Sequence, residues 1–305
     1  MTTKIPFDES LWHEYLAGQE AQLPALSTVE NVSDRVTRVL AGNPGLMQLQ
    51  GTNTYLVGTG TSRILIDTGE GLPFWIDQIM KVLKERALSL AFILLTHWHG
   101  DHTGGVQDLI LQDQSLRSKV YKNLPDRGQN PIVDGQVFQV EGATIRAIFT
   151  PGHAIDHMCF LLEEENAIFT GDNMLGHGFS VVQDLAEYMK SLARMQALDC
   201  VVGYPAHGAK IKDLPAKMQE YTRHNELRIQ QVTSALSSKA PGMTLPEIVR
   251  SIYGDVPADL ADNAIIPFLS QVLWKLAEDR KVGFKAGRSN QRRWFGLCSD
   301  VVAPS

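Results

Sequence analysis

Cysteine is scarce in this sequence. Three occur in 305 residues, Cys159, Cys200 and Cys298, far apart and with no C-x-x-C pair. So sparse and odd a set argues against a disulfide framework and fits a reducing compartment. Cys159 lies in the apolar run Met158 to Leu162 and reads as a buried structural thiol. Positive charge is also in short supply: 28 Lys and Arg stand against 34 Asp and Glu, a formal net charge of -6. The bulk charge therefore gives no signal for nucleic acid. Long apolar runs are missing, and none approaches the ~20 residues needed to cross a bilayer, so no membrane association is expected. Met1 to Glu9 has no signal-peptide core and carries acids early, unlike a transit peptide. The end, Ala303-Pro304-Ser305, matches no simple address. A cytoplasmic protein is expected. Tandem repeats and low-complexity segments are lacking too. A hydrophobic content of 44% suffices for a sizeable core, and the length allows one large domain or two.

What is abundant is ligand chemistry in one place. Thr96-His97-Trp98-His99-Gly100-Asp101-His102 follows the apolar run Ala91 to Leu95, which reads as a buried strand. Alternate residues of an extended chain face one side, so His97 and His99 can reach one ion together. Asp101 and His102, past the strand end, can turn toward a second. Imidazole suits zinc, and carboxylate oxygen completes a mixed site. Further polar residues follow other apolar strands: Asp67 before a glycine, His153 in Thr150-Pro151-Gly152-His153, Asp172 after Phe169-Thr170-Gly171, and His207 after Tyr204-Pro205-Ala206. Strand ends on one edge of a sandwich converge, so distant residues can build one rigid site.

The rest of the chain supports a layered α/β fold. Residues 1–30 read as a leader or cap with a short amphipathic helix over Asp8 to Leu16. Residues 31–238 read as the catalytic domain: strands, then helices, then the same again, in an αβ/βα four-layer sandwich. Helices are expected at Phe74 to Arg86, Val181 to Ala197 and Leu214 to Ser238. Residues 239–305 read as a small winged-helix-like module. Thr244 with Glu247 caps its first helix, Ile265 to Arg280 forms its second, and Val282 to Lys285 pairs with Arg293 to Leu297. Arg288, Arg292 and Arg293 invite a nucleic-acid reading, but a solvated hairpin is the expectation in so acidic a chain.

These motifs resemble the metallo-β-lactamase superfamily over residues 33 to 230. The resemblance implies two divalent metal ions. His97, His99 and His153 would bind the first, and Asp101, His102 and His207 the second. Asp172 would bridge them, and Asp67 would orient the His97–His102 loop. It also implies that Asp101 could donate or accept a proton. Zinc is expected by ligand softness, with manganese admitted by the oxygen ligands. Asn43-Pro44-Gly45, Leu49 to Gly60 and Ile64 to Glu70 resemble the lactamase-like subgroup that carries a winged-helix module. The leader and the loop Gly171 to Phe179 resemble its fungal branch, the thioesterases of the atrochrysone carboxyl carrier-protein type. That resemblance implies release of an aromatic polyketide from the acyl carrier protein of a non-reducing polyketide synthase, by hydrolysis or Claisen-type ring closure. A thiolate leaving group has a thiol pKa of ~8.5 and demands no separate general acid. His177, Tyr55 and Asn53 are candidate substrate contacts. Competing readings are an endoribonuclease, a glyoxalase-II-like hydrolase of glutathione thioesters and a non-enzymatic metal-binding scaffold.

Overall fold

A computed structural model of the chain describes residues 23–237, 242–286 and 291–297. The expected leader helix, Arg288 and Cys298 lie outside those residues. The chain divides into two compact units. The larger holds Gln22–Ser180 and Glu187–Gln219, and the smaller includes Val181–Ala186 and Glu220–Ser305.

Two sheets build the larger unit. The first has seven strands in sequence order: β1 (Val29–Asn31), β2 (Val36–Leu40), β3 (Asn53–Val57), β4 (Ser62–Ile66), β5 (Ser89–Leu95), β6 (Val120–Lys122) and β7 (Asn130–Pro131). The second has five, β8 (Val137–Val140), β9 (Ala143–Phe149), β10 (Met158–Leu162), β11 (Ala167–Gly171) and β12 (Val202–Pro205), in the order β12-β11-β10-β9-β8. Side chains alternate across a strand, and the sequence uses both faces. Tyr55, Val57, Ile64 and Ile66 join Phe160, Phe169 and Tyr204 in one core cluster shared by the two sheets. Leu56, Leu65, Ile93 and Leu95 face the other way, onto Trp75, Ile79 and Leu109. Those last residues belong to helices α1 (Pro73–Glu85) and α3 (Val106–Gln112); between the two lies the single turn α2 (Gly100–Thr103). Each fully buried aliphatic or aromatic side chain contributes about 1.5–3 kcal/mol. Helix α4 (Leu185–Gln196) covers the second sheet: Ser191 Oγ donates to the Pro151 carbonyl and Tyr188 OH to the Asn173 carbonyl. Helix, sheet, sheet, helix is the expected α/β layering.

Strand direction gathers the ligands. β4 and β5 run parallel, as do β11 and β12. β9 and β11 are each antiparallel to β10, so they also share a direction. The residues that follow these five strands are Asp67, His97, His153, Asp172 and His207. Two bonds lock the sheet edges together there: Met158 N–H donates to the Thr96 carbonyl (2.7 Å) and Asn53 N–H to the Ala206 carbonyl (2.6 Å).

The smaller unit contains the two helices and the hairpin read from the sequence. Helix α6 (Leu245–Tyr253) has Thr244 as N-cap with the reciprocal Glu247 capping box. It follows α5 (Leu214–Ser237), a single 24-residue helix. Helix α7 (Ile266–Glu278) precedes β13 (Val282–Ala286) and β14 (Arg292–Gly296), and Met243 bridges to Trp294. Two boundaries differ from expectation. Helix α4 starts at Leu185 rather than Val181, because the β-branched pair Val181-Val182 has the right period but poor helix propensity. Helical structure before α7 begins earlier than Ile265, at Ala258–Leu260, and passes through a π-helical segment, Ala261–Ile265. Pro267 lacks an N–H and cannot close a regular turn there.

The hairpin arginines have local roles. Arg293 donates to the Gly242 carbonyl (2.7 Å) and pairs with Glu247 (3.0 Å). Arg292 lies over the rings of Trp274 (5.1 Å) and Phe284 (5.4 Å).

Candidate metal centre

Strand β5 delivers His97 at its end, fully buried, and the chain then turns into α2. The step from α2 into α3 needs glycine: a Cβ on Gly105 would stand 2.2 Å from the Thr68 carbonyl oxygen and 2.4 Å from Trp75. Asp67 occupies the left-handed region at φ 58°, which a short polar residue tolerates better than most. Its carboxylate is spent on the ligand loop. Oδ1 accepts from Thr96 N–H (2.8 Å), and Oδ2 lies 2.8 Å from His102 Nδ1.

These outer bonds decide which ring nitrogen is left to ligate. His102 Nδ1 meets Asp67, so Nε2 points inward. Thr96 Oγ1 donates to Asp67 and lies 3.0 Å from His97 Nδ1, so His97 also offers Nε2. Ser180 Oγ lies 3.2 Å from His153 Nδ1, again leaving Nε2. Outer partners of this kind fix the tautomer and orientation of metal-binding histidines.

Two groups of donor atoms result. His97, His99, His153 and Asp172 form one; Asp101, His102 and His207 form the other. His97 Nε2 and His153 Nε2 lie 2.8 and 3.1 Å from His99 Nδ1. Asp172 serves both groups with different oxygens. Oδ2 is 3.5 Å from His153 Nε2, whereas Oδ1 is 3.2 Å from His207 Nε2 and 3.5 Å from His102 Nε2. Asp101 Oδ2 completes the second group, 3.3 Å from His207 Nε2.

The donor set fits divalent cations. Three imidazole nitrogens with outward-bonded partners cannot satisfy one another at such distances without a proton or a cation between them. His102 Nε2 and Asp172 Oδ1 are buried and have no hydrogen-bond partner, a costly state that an ion would relieve. Burial, and then the neighbouring imidazoles, hold His97 and His99 below the ordinary histidine range, so both are neutral donors. Burial opposes charge on His207 and on Asp101 as well, but their mutual pairing prevails. Asp172 and Asp101 raise His207 to about 9, and His207 with His102 brings Asp101 down to about 2. Asp101 is therefore ionised at neutral pH, the form that can ligate a cation.

Three expected substrate contacts are placed as follows. His177 is half-buried in the loop between Asp172 and Ser180. Asn53 and Tyr55 are buried and have another task, which corrects the expectation for them. Asn53 Nδ2 donates to the Pro205 and Gly208 carbonyls, and Tyr55 OH to the Pro205 carbonyl. Both brace the turn that carries His207.

Sequence reasoning misses His157. Its Nε2 accepts from the Asp172 N–H (3.1 Å), so its proton sits on Nδ1, facing Thr150 Oγ1 (3.1 Å). Burial, then His153, keeps it well below the ordinary histidine range, as an acceptor must be. Gly171 makes room, since a Cβ there would stand 2.5 Å from His157 Nε2. The one sequence signal is its place four residues after His153. Cys159 is a buried thiol, pushed up to about 12 by burial.

Such a fold with such a site defines a class. The model of the metallo-β-lactamase superfamily matches residues 48–207, and the chain belongs to that superfamily. Among curated proteins it is 68% identical to the lactamase-like protein vrtG of Penicillium aethiopicum, over 97% of this chain and 99% of that one. It is 59% identical to the lactamase-like protein aptB of Emericella nidulans, over 97% and 98%. A β-lactamase domain protein from Burkholderia ambifaria has the same fold, with TM-score 0.77 at 17% identity, covering 91% of this chain and 98% of that one. A metallo-β-lactamase family protein from Thermus thermophilus matches at TM-score 0.64 and 21% identity, covering 88% and 100%.

Proposed function

We propose that this protein is a binuclear metal-dependent thioesterase that releases an aromatic polyketide from the acyl carrier protein of a polyketide synthase. The reaction class rests on one observation, the sharing of Asp172 between two complete donor groups. Bound there, divalent cations, zinc by donor softness, would supply Lewis-acid polarisation of a carbonyl and a water of lowered pKa. The protein's own residues hold and orient. Asp67 and Thr96 set the His102 and His97 rings, Ser180 meets His153, and His157 fixes the backbone at Asp172. A thiolate leaves without a general acid.

Charge favours a thioester over RNA. The segments that carry six of the seven ligands, residues 96–106, 150–160 and 170–182, contain no lysine or arginine, and Lys210, three residues past His207, donates to the Val32 carbonyl (2.8 Å). A polyanion would need cations close to the reacting phosphate. The sequence resemblance to fungal carrier-protein thioesterases supports the specific substrate, and the carrier protein would present it.

The test is to charge a synthase carrier domain with its polyketide and add protein reconstituted with zinc or manganese. Metal-dependent release of the chain, followed by chromatography, is expected. No release with either metal, or RNA cleavage lost in His97→Ala, would overturn the reading.

A further inference from the structure

The ligand-bearing loops present large apolar side chains to solvent. Trp98, between His97 and His99, is 51% exposed, and its ring centroid lies 4.5 Å from that of His99. Ile155, two residues past His153, is 69% exposed. Phe179, 38% exposed, precedes Ser180, which meets His153. Met47, 55% exposed, precedes Gln48, whose amide reaches Asp101 Oδ2 at 3.4 Å. Four loops thus each place an apolar group within two residues of a ligand, or of a residue touching one. Large apolar side chains exposed beside ligand positions mark a binding surface.

We infer that Met47, Trp98, Ile155 and Phe179 form the recognition rim for the aromatic acyl part of the proposed substrate. The inference rests on the thioesterase reading. Two of the four are aromatic, and planar ligands stack on such rings with an attraction beyond area burial. Lys217 Nζ stands 5.6 Å from the Phe179 centroid, a cation–π contact that helps hold this ring in place. No rim segment carries a lysine or arginine of its own, and the Lys217 ammonium beside the rim stands over the Phe179 ring. The rim explains how one ligand set, built for any electrophilic carbonyl, could be narrowed to one acyl class.

Two readouts test this, one of them independent of turnover. Affinity for 2-naphthoate is measured by calorimetry on metal-free protein. The ratio of naphthoyl to acetyl N-acetylcysteamine thioester turnover is measured on metal-loaded protein. Trp98→Ala and Phe179→Ala should each weaken 2-naphthoate by about tenfold and lower the ratio by a similar factor. Leu111→Ser, on exposed surface of α3, should change neither. Phe179→Ala guards against a folding or metal-loading defect in Trp98→Ala, and metal content is measured alongside. Unchanged affinity and ratio in both rim variants would overturn the rim. If wild type cleaves neither thioester but the rim variants lose 2-naphthoate binding, the thioesterase reading fails and the rim stands.

Discussion

The two donor groups are held in different ways. In the second, His102 is fully buried and its outer nitrogen meets the Asp67 carboxylate, itself buried. In the first, the outer partners are hydroxyls: Thr96 behind His97, and Ser180, half-buried, beside His153. A carboxylate raises the basicity of its histidine and a hydroxyl does so less. Each group has one half-buried member, His99 beside Trp98 in the first and Asp101 in the second. The second group is thus braced by charge at His102, and the first by neutral hydroxyls at His97 and His153. Chelator should strip the first before the second. A titration with EDTA, following metal per chain, should show two steps; a single step removing both together would abolish the distinction.

The largest effect should come from the residue both groups share. Asp172→Ala removes one oxygen from each. It should leave less than one metal per chain and cut turnover by well over about a hundredfold, more than loss of an outer partner costs. Retention of both metals in Asp172→Ala would mean that the groups are independent. Next in size is Asp67→Ala. It frees the His102 ring and leaves Thr96 N–H without its acceptor. Turnover should fall about 10–100-fold, with the lost metal coming from the second group. Loss of equal metal from both groups would show that Asp67 supports the whole loop, not one seat.

The ligand set can be read in the sequence because the ligand segments follow apolar strands, and within each sheet the strands that precede site residues run the same way. His97 and His99 are two apart on an extended segment; Asp101 and His102 lie in the turn that follows, and the structure divides them between groups accordingly. Asn53 and Tyr55 cannot be read in this way. A polar tip on a β-former looks the same whether it meets a substrate or a carbonyl, and theirs are about 150 residues away, at Pro205 and Gly208. His157 is hidden for a related reason. It reads as the first residue of a strand, and only the approach of β9, β10 and β11 reveals that its ring holds the Asp172 amide. The arginines of the hairpin are ambiguous in sequence because stacking on Trp274 and pairing with Glu247 both depend on the folded hairpin.

The smallest effect tests the hydroxyl-braced seat directly. Ser180→Ala removes a neutral hydroxyl from His153 Nδ1 in a half-buried loop. A single neutral hydrogen bond contributes about 0.5–1.5 kcal/mol net, and water can replace it where the loop is open. First-group metal affinity should therefore fall by only about two- to tenfold, with the second group untouched. Ser180→Asp inverts the test by giving His153 the kind of carboxylate partner that His102 already has. If partner charge is what separates the seats, the two EDTA steps should move closer together. If they stay apart, partner charge does not set the difference, and Asp67 acts by fixing the ring, not by raising its basicity.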